Sequence, residues 1–261
     1  MKVNIGVNAA TGRMGQQIIE EANQVASVEL TAAFCRSAHP FFEKVVRGSK
    51  NIRYTNDTVS GLAQSQVIID FSLPTVSLAL IDLALISRTP LLIGTTGFSQ
   101  SELNVIKQAS RKLPILLAPN TSIGVNAALM LLEKAASIIG KESNIEIIET
   151  HHKNKIDAPS GTALKMGEVI CDAMQTQLSE KAIYGRSTIK KPRKEDEIGF
   201  SAIRAGSIIG EHKVLFALDY ETISIEHKAQ SRKCYADGAV KAAVWLSSQN
   251  NGLYSMQDFL S

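Results

Sequence analysis

The sequence has little of what would tie it to a disulfide scaffold, a metal, a nucleic acid or a membrane. Its 261 residues include three cysteines, Cys35, Cys171 and Cys234, far apart and without C-x-x-C spacing. An odd, scattered set of thiols excludes a disulfide framework and a cysteine zinc site, and suits a reducing cytoplasm. Charge of one sign is also missing: the net charge is +3, and the densest basic run, "KKPRK" at 190–194, is followed at once by "EDE". The acids cancel most of its local field, so no nucleic-acid partner is expected. The longest apolar helix candidate, "VSLALIDLALI" at 76–86, carries Asp82 and is about half a bilayer span, so no membrane segment is expected either. "MKVNIGV" runs directly into an apolar strand with no small-residue cleavage site after it, which argues against a targeting segment. Internal repeats and low-complexity tracts are absent.

What is there is a hydrophobic fraction of 44%, enough for a substantial core in one large domain or two modest ones. The first 120 residues alternate short apolar runs with helical patterns, the order of β-α-β units around a parallel sheet. Six strands are predicted there: "KVNIGV" (2–7), "VELTAAF" (28–34), "IRYT" (52–55), "QVIIDFS" (66–72), "PLLIGTT" (90–96) and "PILLAPN" (114–120). Their apolar residues are continuous, as in strands covered on both faces. After Asn120 the rhythm changes. A strong helix over 126–139 leads to the strand "NIEIIETHH" (144–152), a helix from about Thr162, and strands near 199–204, 213–219 and 222–228. Strands in succession predict an antiparallel or mixed sheet in a second, α+β domain. A last helix runs from about Ala236 to Ser248, and "YGRSTIKKPRKEDEIG" (184–199) reads as a polar loop long enough to be mobile or functional.

Where a dinucleotide-binding chain shows G-x-G-x-x-G between its first strand and helix, this one has Ala9 and Thr11, and only "GRMG" (12–15) keeps its glycines. The pyrophosphate is held by backbone N–H groups at the helix N-terminus, while glycine allows the close approach. Ala9 and Thr11 crowd that approach, although the Thr11 hydroxyl can donate in exchange. The second strand ends in Cys35-Arg36, not in the acid that would select NAD. Arg36, with Arg13, suits a 2′-phosphate and leans the site toward NADP. Two further strand ends, "GTTG" (94–97) and "APNTSIGVN" (118–126), carry small residues and hydroxyls where a parallel sheet places its ligand. The densest cluster is "ETHHKNKIDAPSGTAL" (149–164). Its lysines and imidazoles offer positive charge, and a Ser160-Gly161-Thr162 turn opening a helix offers free N–H groups to a carboxylate. Glu149, His151 and His152 lack the spacing of a helix-borne zinc site, and no metal is expected.

Taken together, "GRMG", "IDFS" (69–72) with Pro74, "IGTTGF" (93–98), "APNTSIGVN", "ETHHKNKIDAPSGTAL" and "RAGSIIGEHKVLF" (204–216) resemble, in order and from end to end, the 4-hydroxy-tetrahydrodipicolinate (dihydrodipicolinate) reductase family of lysine and diaminopimelate biosynthesis. The resemblance implies a Rossmann-like domain for NAD(P)H over 1–121 and 232–261, and a mixed-sheet domain over 122–231 that binds a small dicarboxylate and builds a homotetramer. It implies His151 and Lys155 as the proton-donor pair, His152 as a substrate contact, and Gly161 and Thr162 as a substrate-carboxylate site. Dinucleotide contacts would come from Ala9, Ala10, Thr11, Gly12, Arg13, Met14, Arg36, Gly94, Thr95, Thr96, Ala118, Pro119, Asn120 and Thr121. The sequence departs from the family at Ala9 and Thr11, where glycine is usual, and at Cys35, where many members have an acid. NADPH is the favoured cofactor, with NADH as the other candidate. Whether His151 or Lys155 delivers the proton stays open. The competing readings are an NADP-dependent dehydrogenase of another imine or semialdehyde, and a non-catalytic dinucleotide sensor.

Overall fold

Continuous apolar runs become strands buried on both faces. In the computed structural model, which describes residues 2–261, the chain begins β1 (Val3–Asn8), α1 (Arg13–Ala22), β2 (Val28–Phe34), β3 (Tyr54–Thr55), α2 (Thr58–Gln64), β4 (Val67–Asp70), α3 (Pro74–Ser87), β5 (Leu91–Ile93), α4 (Gln100–Ala109) and β6 (Pro114–Leu117). It continues through α5 (Ile123–Ile139), β7 (Asn144–His151), α6 (Gly161–Ala173), α7 (Leu178–Lys181), β8 (Ala182–Tyr184), β9 (Ile198–Arg204), β10 (Glu211–Ala217) and β11 (Thr222–Lys228). It ends with α8 (Lys233–Leu246), β12 (Gly252–Tyr254) and α9 (Met256–Leu260). Contacts divide it into two units, one running to Ile123 and resuming at Lys233–Ser261, the other spanning Gly124–Arg232.

The first unit is built on a seven-stranded, all-parallel sheet in the order β12-β6-β5-β4-β1-β2-β3. Six strands were expected. The seventh, β12, is three residues beginning with glycine, too short to show a period, and it pairs with β6 at the edge. Ile5, Val7, Ile69, Leu92 and Leu116 pack on one side of this sheet with α1 and the small face of α8, Ala236, Ala239, Ala242 and Ala243. Ile68, Leu91, Ile93 and Ile115 pack on the other with Leu62, Leu80, Ile81 and Ile106 of the flanking helices. The strands predicted over 66–72, 90–96 and 114–120 stop at Asp70, Ile93 and Leu117. Their polar tails leave the ladder to form the loops at the sheet's carboxyl edge. The chain steps outward one way from β1 to β3 and the other way from β4 to β6, so the order reverses between β1 and β4, where Asn8 and Asp70 are register partners.

The second unit holds a five-stranded mixed sheet, β11-β10-β7-β9-β8, with β7 antiparallel to β10 and parallel to β9. Here burial alternates along β7 and β10, the pattern of a sheet covered on one side. Ile145, Ile147, Val214 and Phe216 face α5 and α6, meeting Leu129, Leu132, Met166 and Ile170. The segment Ile123–Glu142, α5 with the turn after it, is 20 residues long, longer than the 76–86 helix singled out from the sequence. Its buried stripe, Val125, Ala128, Leu129, Leu132 and Ala136, marks it as a core helix. The polar stretch before β9 is pinned: Arg193 donates to Glu146, to Asn144 and to the carbonyls of Ile145, Lys194, Glu195 and Glu197.

Candidate active site

Strand alternation builds the centre of the second unit's site. Glu149 and His151, two apart on β7, point to the same covered face. Register then adds residues that no local spacing reveals: Arg204 of β9 lies beside His151, His212 of β10 opposite Glu149, and His227 of β11 opposite His212. Glu149 is almost wholly buried, at 1% exposure. Arg204 grips both its oxygens, at 2.8 and 2.7 Å, His151 Nδ1 lies 2.5 Å from Oε2, and the Ser160 amide donates to Oε1 at 3.2 Å. Burial pushes the Glu149 carboxyl up, but the bonds from Arg204 and His151 outweigh it and hold the group below the ordinary range. His151 is held below its usual value by burial, against the pull of Glu149. Because the carboxylate only accepts, the neutral imidazole carries its proton on Nδ1 and leaves Nε2 as a lone pair.

The start of α6 completes this cluster. The Ser160 hydroxyl accepts from the Ala163 amide at 3.2 Å, capping the helix, and bonds His212 Nε2 at 3.0 Å. His212 packs edge-on against His151, with ring centroids 5.1 Å apart, and burial pushes its pKa down to about 4. Gly161 is exposed with open space where a side chain would stand, and Thr162 is half-buried in the first turn. Lys155 reaches both oxygens of Asp157 at 2.8 Å, and its charge helps depress His151. His152 follows His151 out of β7 and is half-buried. The structure therefore brings His151, Lys155 and the 160–162 turn into one neighbourhood. It adds Glu149, Arg204 and His212, whose roles the sequence reading did not assign. Among the described residues, no group of three or more His, Cys, Asp or Glu is arranged to hold a metal ion.

In the first unit, α1 begins at the end of β1 with Gly12 as its cap residue and no side-chain cap. Its first amides point out of the sheet's carboxyl edge, the arrangement that accepts a pyrophosphate. Gly15 keeps the helix tight against the loop, since a Cβ there would stand 2.4 Å from the Ala9 carbonyl oxygen. Ala9 adopts φ +50°, a left-handed conformation that glycine occupies without penalty. These features fit a dinucleotide, with Ala9 as the strained point.

The predicted contacts divide by exposure. Gly12, Arg13, Arg36, Thr96 and Pro119 are exposed, Thr11, Met14 and Asn120 are partly so, and Ala10, Gly94, Thr95, Ala118 and Thr121 are buried. The Ala10 amide donates to the Phe34 carbonyl, and the Thr121 hydroxyl to the Tyr235 carbonyl at 2.7 Å. The Thr95 hydroxyl accepts from the Ser72 amide at 2.9 Å. The buried members shape the loops from beneath. A side chain at Gly94 would collide with the Phe71 ring at 2.3 Å.

Two family models match the chain, dihydrodipicolinate reductase, N-terminus, over residues 3–121 and dihydrodipicolinate reductase, C-terminus, over residues 124–260. The chain is 44% identical over 266 residues to the 4-hydroxy-tetrahydrodipicolinate reductase of Buchnera aphidicola subsp. Baizongia pistaciae, covering 99% of this chain and 98% of that one. It is 45% identical over 265 residues to the enzyme of the same name from Methylococcus capsulatus, covering 100% and 98%. A dipicolinate-bound dihydrodipicolinate reductase from Paenisporosarcina sp. TG-14 shares the fold with a TM-score of 0.77 at 23% identity, covering 98% of each chain.

Proposed function

The chain belongs to the dihydrodipicolinate reductase family and catalyses the NAD(P)H-dependent reduction of 4-hydroxy-tetrahydrodipicolinate to tetrahydrodipicolinate in lysine biosynthesis, and from this we propose that His151 and Lys155 manage the proton while the start of α6 holds a substrate carboxylate. The observation that carries this reading is a neutral, carboxylate-held His151 and a charged Lys155 in the same cluster as the N-terminus of α6. A dicarboxylate ring needs that helix end: the amides around Gly161 and the Thr162 hydroxyl can take one carboxylate, and the helix dipole favours the charge. Dipicolinate, bound in the solved relative, is itself a ring with two carboxylates. His152 is the further substrate contact.

The overall change adds a hydride and a proton to the ring and releases its 4-hydroxyl as water. Bound NAD(P)H supplies the hydride. Lys155 carries a proton to give, whereas His151, with its proton committed to Glu149, presents a lone pair. We therefore assign delivery of the proton to Lys155 and its orientation to the Nε2 of His151. Residues 1–121 and 232–261 form the dinucleotide domain, with loop 9–14, Arg36, Gly94–Thr96 and Ala118–Thr121 around the cofactor. Residues 122–231 form the substrate and oligomer domain. The exposed guanidinium of Arg36, with no acid at Cys35, favours NADPH. The enzyme works as a cytoplasmic homotetramer. Loss of NADPH absorbance on supplying aspartate semialdehyde, pyruvate and the preceding synthase tests the activity, and no loss would overturn it.

A further inference from the structure

Where the order of the parallel sheet reverses, the first unit buries a carboxylate that, among the described residues, has no cation beside it. Asp70, the last residue of β4, is 0% exposed. It accepts from Asn8 Nδ2 at 2.8 Å, from Thr95 Oγ1 at 3.4 Å and from the Ser77 hydroxyl. Asn8 ends β1 and is its register partner, Ser77 stands at the start of α3, and Thr95 lies in the loop after β5. The group thus ties together the carboxyl ends of the strands on both sides of the reversal. Among the described residues no ion pair reaches it. Burying a charge without a counter-ion is expensive, and a neutral Asn or Ser would hold the same strand ends at lower cost. A charge kept there at that cost calls for a use.

In a doubly wound sheet the dinucleotide lies across the crevice at this reversal. If Arg36 at the end of β2 takes the adenosine half, as assigned above, the nicotinamide half would lie toward the ends of β4 and β5, near Asp70 and the 94–96 loop. Giving up a hydride turns the neutral dihydronicotinamide into a cationic ring. We propose that Asp70 supplies the counter-charge for the oxidised nicotinamide, favouring the cationic ring over the neutral one through the weakly screening interior. Asp70 then acts on the hydride step without touching substrate, as a fixed charge held by Asn8, Ser77 and Thr95. This rests on the dinucleotide binding to the first unit as assigned above.

The test compares affinities for NADPH and NADP+, by fluorescence titration and calorimetry on the full-length protein. Asp70→Asn should raise the Kd for NADP+ relative to that for NADPH by about three- to tenfold. Asp70→Ser serves if the asparagine variant does not fold. Ser77→Ala removes a donor but keeps the charge, and should leave the ratio at its wild-type value. A positioning role alone would change both constants by the same factor, and that result, or an unmoved ratio, overturns the proposal. Arg36→Ala, which should weaken both forms alike, checks the underlying assignment. If neither this variant nor Arg13→Ala changes either constant, the dinucleotide is not where Asp70 can act, and the failure lies with the assigned site.

Discussion

At the scale of single residues, the chemistry turns on which groups stay charged. Lys155 holds its ammonium beside Asp157 while burial keeps His151 neutral. Lys155→Ala should therefore lower kcat by about two to four orders of magnitude and leave NADPH affinity unchanged. His151→Ala should resemble it, with the double variant costing less than the two losses combined if they form one proton-transfer unit. Near-normal turnover in a folded Lys155→Ala enzyme would remove the lysine from the proton step. His212 offers a pH readout. Burial, reinforced by His151, drives it to about 4, against an ordinary value of about 6.5. Between those values the unfolded chain binds a proton that the folded chain refuses. Stability is then complete above about 6.5 and falls as the pH drops toward 4, by up to about 1.4 kcal/mol per pH unit. His151 and His227 are lowered as well and add to the slope. Melting temperatures at pH 7, 6 and 5 should fall less steeply for His212→Gln than for wild type, and parallel curves would exonerate His212.

At the scale of elements, the turn from β1 to α1 carries a cost visible in one torsion. Holding a residue with a side chain in the left-handed region costs about 1–2 kcal/mol, and glycine's extra chain entropy returns about 0.5–1 kcal/mol of that. Ala9→Gly, at φ +50°, should then stabilise the enzyme by up to about 1 kcal/mol and tighten NADPH binding, read by thermal melting and titration. Lower stability would mean that the loop has adapted to alanine. At the end of β2, Arg36→Ala should lower kcat/KM for NADPH more than for NADH, and a fixed ratio between the two would leave the phosphate to Arg13 or to no arginine. The same elements show what was legible in the sequence. Continuous apolar runs marked the long strands of the parallel sheet, and strands in succession marked the change of sheet type after Asn120, whereas β8 and β12, three residues each, are too short to carry a period. Glu149 was readable two positions from His151. Arg204, His212 and His227 were not, because only the pairing of distant strands sets them in line. The hydroxyls of Thr95 and Thr121 stood at strand ends as expected, but they bond Asp70, 25 residues away, and Tyr235, 114 away, and no local spacing encodes that.

At the scale of the whole molecule, the two sheets differ in what covers them. The parallel sheet is buried on both sides, while the mixed sheet turns Ile148, Leu215 and Ile203 away from its helices, Ile203 at 48% exposure. On that surface Ile203 pairs with Thr150, Ile148 with Ser201 and Lys213, and Leu215 with Ser224 and Glu146, so the apolar side chains stand among polar and charged ones. The edge strand β11 adds seven residues with mostly exposed side chains beside that face. An uncovered sheet face and an open edge can each meet their own copy in a second chain, by stacking in one case and by strand pairing in the other. Two such two-fold contacts on one chain close as a tetramer of dihedral symmetry. Ile148→Lys and Leu215→Lys each place a charge in the stacking contact and leave the edge intact. In sedimentation velocity the wild type should run as a tetramer and each variant at about half that mass, as the pair joined through β11. The fold of each variant can be checked separately by its melting transition. A monomeric wild type, or variants that remain tetrameric, would show that this face is not where the subunits meet.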